Sequence, residues 1–151
     1  MKRTFCYLAA AAALIVLGAC TDTRKPTTPL TSDRSTDKVY TGVLPGADVD
    51  GIRYTVLLDF DDDGTEGDYD IVQTYFTTDS AGTVQDLASF AGEGDFTVGT
   101  GANGQKYLKL SGDGSGEVYF LVDTDSTITM VDASLTPSPT PGMNYTLKST
   151  R

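Results

Sequence analysis

Between residues 52 and 60 the side chains alternate. Ile52, Tyr54, Val56, Leu58 and Phe60 fall on one side of the pattern, and Arg53, Thr55, Leu57 and Asp59 on the other. Period two over nine residues, rich in aromatic and β-branched types, predicts a half-buried strand. Shorter apolar runs follow at spacings of roughly ten residues, each bounded by Gly, Asp, Asn or Ser. They cover residues 39–44, 69–78, 96–98, 107–110, 118–122, 127–131 and 144–148. Residues 84–91 read either as one short helical turn or as a strand. Pro45-Gly46-Ala47-Asp48 and Ser80-Ala81-Gly82 carry turn chemistry, and residues 136–141 form a proline-rich excursion. About eight short strands at this spacing predict an all-β sandwich or barrel with one wet face and one buried face.

The N-terminus follows a different rule. Lys2 and Arg3 precede an apolar run from Tyr7 to Leu17, which ends in Gly18-Ala19-Cys20. A basic start, a short apolar run and a small-residue cut site make an export signal, and the run is too short to span a bilayer. The cysteine at the cut resembles a lipobox, in which the thiol is acylated and becomes the first mature residue. The expected organisation is a lipoprotein signal peptide at 1–19, a lipidated Cys20 with a flexible linker through residue 37, and a domain at 38–151. Residues 21–37 are polar, hold two prolines and lack apolar periodicity, as a tether should. In the enterobacterial sorting code, aspartate directly after the lipidated cysteine retains a protein at the inner membrane. Thr21 stands there, so the outer membrane is favoured, its face undecided.

Charge narrows the partners. The formal net charge is −10, and loss of Lys2 and Arg3 with the signal makes it two units more negative. Such a chain repels phosphate backbones, which argues against nucleic acid. It also holds itself off anionic lipid, so the N-terminal lipid is the expected membrane attachment. Cys6 leaves with the signal and Cys20 is modified, so the domain itself has no thiol; the chain also has no histidine and no tryptophan. These absences exclude a Ser-His-Asp triad, a Cys-His dyad and a His/Cys zinc site.

The run Tyr40-Thr41-Gly42-Val43-Leu44-Pro45-Gly46-Ala47-Asp48-Val49-Asp50-Gly51-Ile52 resembles the opening of the NlpE N-terminal domain family. These are lipoproteins linked to copper resistance and envelope stress. The family pattern runs Y-x-G-x-L-P-C-A-D-C-x-G-I and continues into an alternating strand. A D-G hairpin, Tyr75 within a strand, a Phe90–Gly92 turn and a terminal Asn144-Tyr145-x-Leu147 extend the likeness from about residue 38 to 149. The resemblance implies a small antiparallel lipocalin-like β-barrel. Longer members add a second, OB-like domain, which is not expected in a chain of this length. Where the family has C-x-x-C, this chain has Gly46 and Val49, so a copper or redox role at that corner does not carry over. Met130 and Met143, the only sulfurs left in the domain, read as packing, and copper is not expected.

One constellation has metal chemistry. Asp59, Asp61, Asp63, Gly64 and Asp70 fall at D-x-D-x-D-G-x5-D. Calcium takes six to eight hard oxygens, and alternating carboxylates around a glycine turn can supply them. Against this, Asp70 is shorter than the usual glutamate, Glu66 replaces an apolar residue, and strands flank the loop in place of helices. The competing reading is an acidic hairpin whose charges keep a sheet edge soluble. Among the tyrosines, Tyr54, Tyr75 and Tyr119 are the candidates to line an open barrel interior. The expected role is a non-enzymatic sensing or binding module of the cell envelope, for a protein partner or a small apolar ligand. The alternative is a calcium-stabilised surface binding module. A filled interior favours a protein partner on the outer surface, and an open one favours a ligand.

Overall fold

A computed structural model describes residues 37–112 and 116–150. The signal peptide, Cys20 and the linker to residue 36 lie outside the described residues. Eight strands run in chain order: β1 (Lys38–Leu44), β2 (Gly51–Phe60), β3 (Glu66–Thr78), β4 (Val84–Thr100), β5 (Lys106–Gly112), β6 (Gly116–Thr124), β7 (Thr127–Val131) and β8 (Thr146–Ser149). Each pairs antiparallel with the next, and β8 returns to β1 to close the barrel. Closure leaves no free end to the strand order, which is how a small all-β domain removes its outermost edges.

The alternation in β2 sets the inner face. Val56 stands opposite Tyr40 on β1 and Ile71 on β3; Leu58 stands opposite Tyr69. All eight strands send side chains into one core: Tyr40, Val56, Leu58, Ile71, Phe96, Leu110, Phe120, Ile128 and Leu147 among them. Val56, Leu58, Phe120, Ile128 and Leu147 are wholly shielded from solvent. Each such side chain contributes about 1.5–3 kcal/mol through burial. Phe60 closes this packing from one end, its ring edge-on to Phe96 with centroids 4.9 Å apart.

Two expectations change at β4. The helical alternative for residues 84–91 is not adopted, and this stretch joins 96–98 in one strand, Val84–Thr100. Gly94 makes the continuity possible: a Cβ there would lie 2.4 Å from the Ser111 carbonyl oxygen, so only glycine allows β4 and β5 to approach. The pattern was also blurred by a β-bulge. Tyr75 pairs with Ala88 and Phe76 with Asp86, so Leu87 is the extra residue on β4. Phe90, placed in a turn by the family resemblance, sits mid-strand opposite Gln73.

The strands differ in reach. β5 ends at Gly112 opposite Gly94, and β6 begins at Gly116 opposite Gly112. The β3–β4 hairpin continues past this point to its tip at 79–83, where the Asp79 carboxylate accepts the amides of Ala81 and Thr83. Val84 to Gly92 are therefore paired only to β3 among the described residues. The excursion after β7 folds back, with Val131 bridged to Pro137.

Candidate functional site

The acidic loop forms first from local bonds. The Asp61 amide donates to the Glu66 carbonyl at 2.9 Å, and the Gly64 amide to the Asp61 carbonyl at 2.8 Å. Gly64 adopts φ 68°, which glycine accepts without steric penalty. The Asp63 carboxylate accepts the Thr65 amide at 2.9 Å, a turn bond that holds its pKa below the usual value. These bonds make a tight hairpin. Asp59 lies on β2 opposite Asp68, whereas Asp70 is opposite Leu57, so Asp59 and Asp70 are offset along the ladder. Asp61, Glu66, Asp68 and Asp95 line an open concavity beside the loop. Among the described residues, no group of three or more carboxylates converges to hold a metal ion.

Register extends this acidity across three strands. Asp68 pairs with both Asp59 and Asp95, and Asp70 pairs with Glu93. These residues alternate with the core residues Tyr69 and Ile71, so they occupy the outer face.

The three tyrosines separate. Tyr54 lies on the inner side of β2, partly buried against the core. Burial raises its phenol pKa, and the neighbouring Tyr75 adds to the shift. Tyr75 in turn meets Phe90, with ring centroids 5.6 Å apart at 85°. Tyr119 does not join them. Phe120 takes the inner position on β6, so Tyr119 faces outward, where its hydroxyl donates to Glu117 at 2.6 Å. Glu117 also pairs with Lys109 at 2.5 Å, and the Tyr107 ring lies 6.3 Å from that of Tyr119. The hydrogen bond to Glu117, then burial, raises the Tyr119 pKa. Five consecutive apolar residues at 118–122 hid which of them faced in.

The hairpin extension holds what the sequence reading missed. Val84, Leu87 and Phe90 are among the large apolar side chains exposed to solvent, Leu87 at 57% and Phe90 at 58%. Tyr54, Tyr75 and Phe90 share one face of β2–β4, and the bulge at Leu87 presents a further apolar side chain beside them. On the other face, Arg53 pairs with Asp86 and lies 5.1 Å from the Phe76 ring centroid. A usable signal was present: Leu87 and Phe90 are large apolar residues inside an otherwise small and polar stretch, QDLASFAGEG.

The corner at Gly46 and Val49 is also defined. A Cβ on Gly46 would lie 2.2 Å from a Val49 methyl, so the two positions face each other across the β1–β2 turn. Glycine and valine offer no donor atom, so this corner does not fit a copper ion.

The family model described as the NlpE N-terminal domain matches residues 40–140. No curated protein and no solved structure matches the chain.

Proposed function

This chain belongs to the NlpE N-terminal domain family, and from that premise we propose that it is a non-enzymatic binding module of the cell envelope. It is held by a lipid on Cys20, with the outer membrane as its favoured site. It contacts a protein partner through the β3–β4 extension, beyond the packed interior, rather than enclosing a small ligand. The observation that carries this reading is the pair of exposed apolar side chains Leu87 and Phe90 on the β3–β4 extension. Monomeric proteins rarely leave such groups uncovered without an interaction to serve. The packed interior supports the same reading, because side chains from all eight strands occupy the space a lipocalin-like ligand would need. The family is one of envelope lipoproteins, which supports the location. The acidic face at Asp59, Asp68, Asp95 and Glu93 favours a cationic partner surface.

The test is photo-crosslinking in intact cells from position 87, with position 105 on the distant β4–β5 turn as control. One discrete adduct from 87 and none from 105 is expected. Cys20→Ser should abolish acylation, leave the protein uncleaved or soluble, and lose the adduct. Equal labelling from both positions, or a Cys20→Ser variant that sediments with membranes and matures as the parent does, contradicts the reading.

A further inference from the structure

The free side of β4 has a definite polarity. The Val98 amide donates to the Thr65 carbonyl on the β3 side at 2.7 Å. Backbone groups alternate sides along a strand, so the even-numbered residues of β4 from Ala88 to Val98 bond to β3. The amides and carbonyls of Ser89 and Ala91 therefore point away from β3. Past Gly94 the odd residues meet β5, but β5 ends at Gly112 and Ser89 and Ala91 lie beyond it. Among the described residues they form a short open ladder inside an otherwise closed barrel, flanked by the exposed Leu87 and Phe90.

We propose that this edge of β4 accepts an extended segment of a partner protein by strand addition, and that the segment alternates apolar and cationic side chains. The inference rests on the binding-module reading above. Strand addition takes affinity from main-chain bonds and specificity from alternate side chains. On one face the incoming residues lie beside Ala88, Phe90 and Gly92, which selects apolar groups. On the other they lie beside Glu93, itself opposite Asp70, which selects lysine or arginine. A second copy of this chain is a poorer occupant. Antiparallel self-pairing that sets Ser89 of one copy against Ala91 of the other, centred on Phe90, would bring Glu93 against Asp86 past the bulge at Leu87, and like charges opposite each other destabilise a ladder.

The experiment uses the full chain in detergent and a labelled ten-residue peptide of alternating valine and lysine, read by fluorescence anisotropy. Saturable binding is expected, with at least a tenfold loss when glutamate replaces lysine. Two further peptides carry N-methyl groups on every second amide, in opposite phases. A strand on an edge uses only one set of its amides, so one phase should bind and the other lose at least tenfold. Ala91→Pro removes an outward amide that β3 does not use, and proline is tolerated on an edge. It should weaken the parent peptide at least tenfold with an unchanged melting temperature. Equal binding of both methylated phases means charge attraction alone and overturns the proposal. So does a dimer seen by sedimentation that Ala91→Pro abolishes, which would give the edge to a second copy. Absent peptide binding together with a persisting adduct from position 87 overturns strand addition and leaves the binding module standing. Loss of both removes the two together.

Discussion

Tyr75 and Phe90 meet edge to face at 5.6 Å, although Phe90 is 58% exposed. The pair is a diagonal neighbour contact across β3 and β4, since Tyr75 pairs with Ala88 and Phe90 with Gln73. It stiffens a hairpin that the core does not hold directly. Phe90→Ala should therefore destabilise the domain by only about 1 kcal/mol, the range of an aromatic pair. Phe120→Ala, at a wholly buried position, should cost about 3–5 kcal/mol. Urea unfolding of the two variants checks the contrast. Similar losses would place Phe90 in the core.

Gly46 and Val49 should be energetically coupled. Gly46→Ala forces a methyl against the Val49 side chain and should destabilise by about 1–3 kcal/mol, as overpacking does. Combining it with Val49→Ala should remove most of that loss. A double-mutant cycle with no interaction energy would mean that the two positions do not face each other.

Hydrogen bonds at the hairpin tip give a pH dependence of known sign. The Thr83 amide is the main cause holding the Asp79 carboxyl below its ordinary value; burial opposes it, and the Ala81 amide, the Thr83 hydroxyl and the Gly82 amide add to the lowering. A depressed carboxyl pKa in the folded state stabilises above the unfolded value and loses that contribution as pH falls through the folded one. The melting temperature of Asp79→Ala should lie below that of the parent at pH 7. The gap should narrow as pH falls below the unfolded carboxyl value and close once the folded-state carboxyl is protonated as well. A gap that widens in acid would reverse the assignment.

The hairpin geometry at Asp59, Asp61, Asp63 and Asp70 leads to an expectation for divalent ions. Any divalent cation screens an acidic domain, whereas a calcium site discriminates against magnesium, which demands strict octahedral geometry. At equal millimolar concentration the two ions should raise the melting temperature equally, and Asp61→Asn with Asp63→Asn should leave that equality intact. A calcium-specific gain lost in the double variant would restore the calcium-stabilised alternative.

Much of the barrel was legible because β2 alternates and the turns carry Gly, Asp and Pro. The stretch 52–60 appears as Gly51–Phe60, and 127–131 appears unchanged. Legibility failed where period two broke. Leu87, the extra residue of a bulge, shifts the phase of everything before it on β4, so 84–91 looked partly helical. Residues 118–122 are apolar on both faces, because Leu121 and Val131 are buried outside the core cluster on the side where the 132–145 excursion returns. That symmetry misplaced Tyr119. The exposed edge was illegible for another reason: it depends on where β5 stops, which is a relation between strands and leaves no mark within β4 itself.

The domain contains no cysteine, which permits a direct test of where it is covered in the envelope. Single variants Leu87→Cys and Gln105→Cys place one thiol on the β4 bulge and one on the β4–β5 turn. Each is labelled with a membrane-impermeant maleimide in permeabilised cells and again after purification in detergent. A binding surface on the β3–β4 extension predicts that position 87 is protected in the envelope and reactive when purified, while position 105 reacts in both. Equal reactivity of position 87 in the two settings would contradict it.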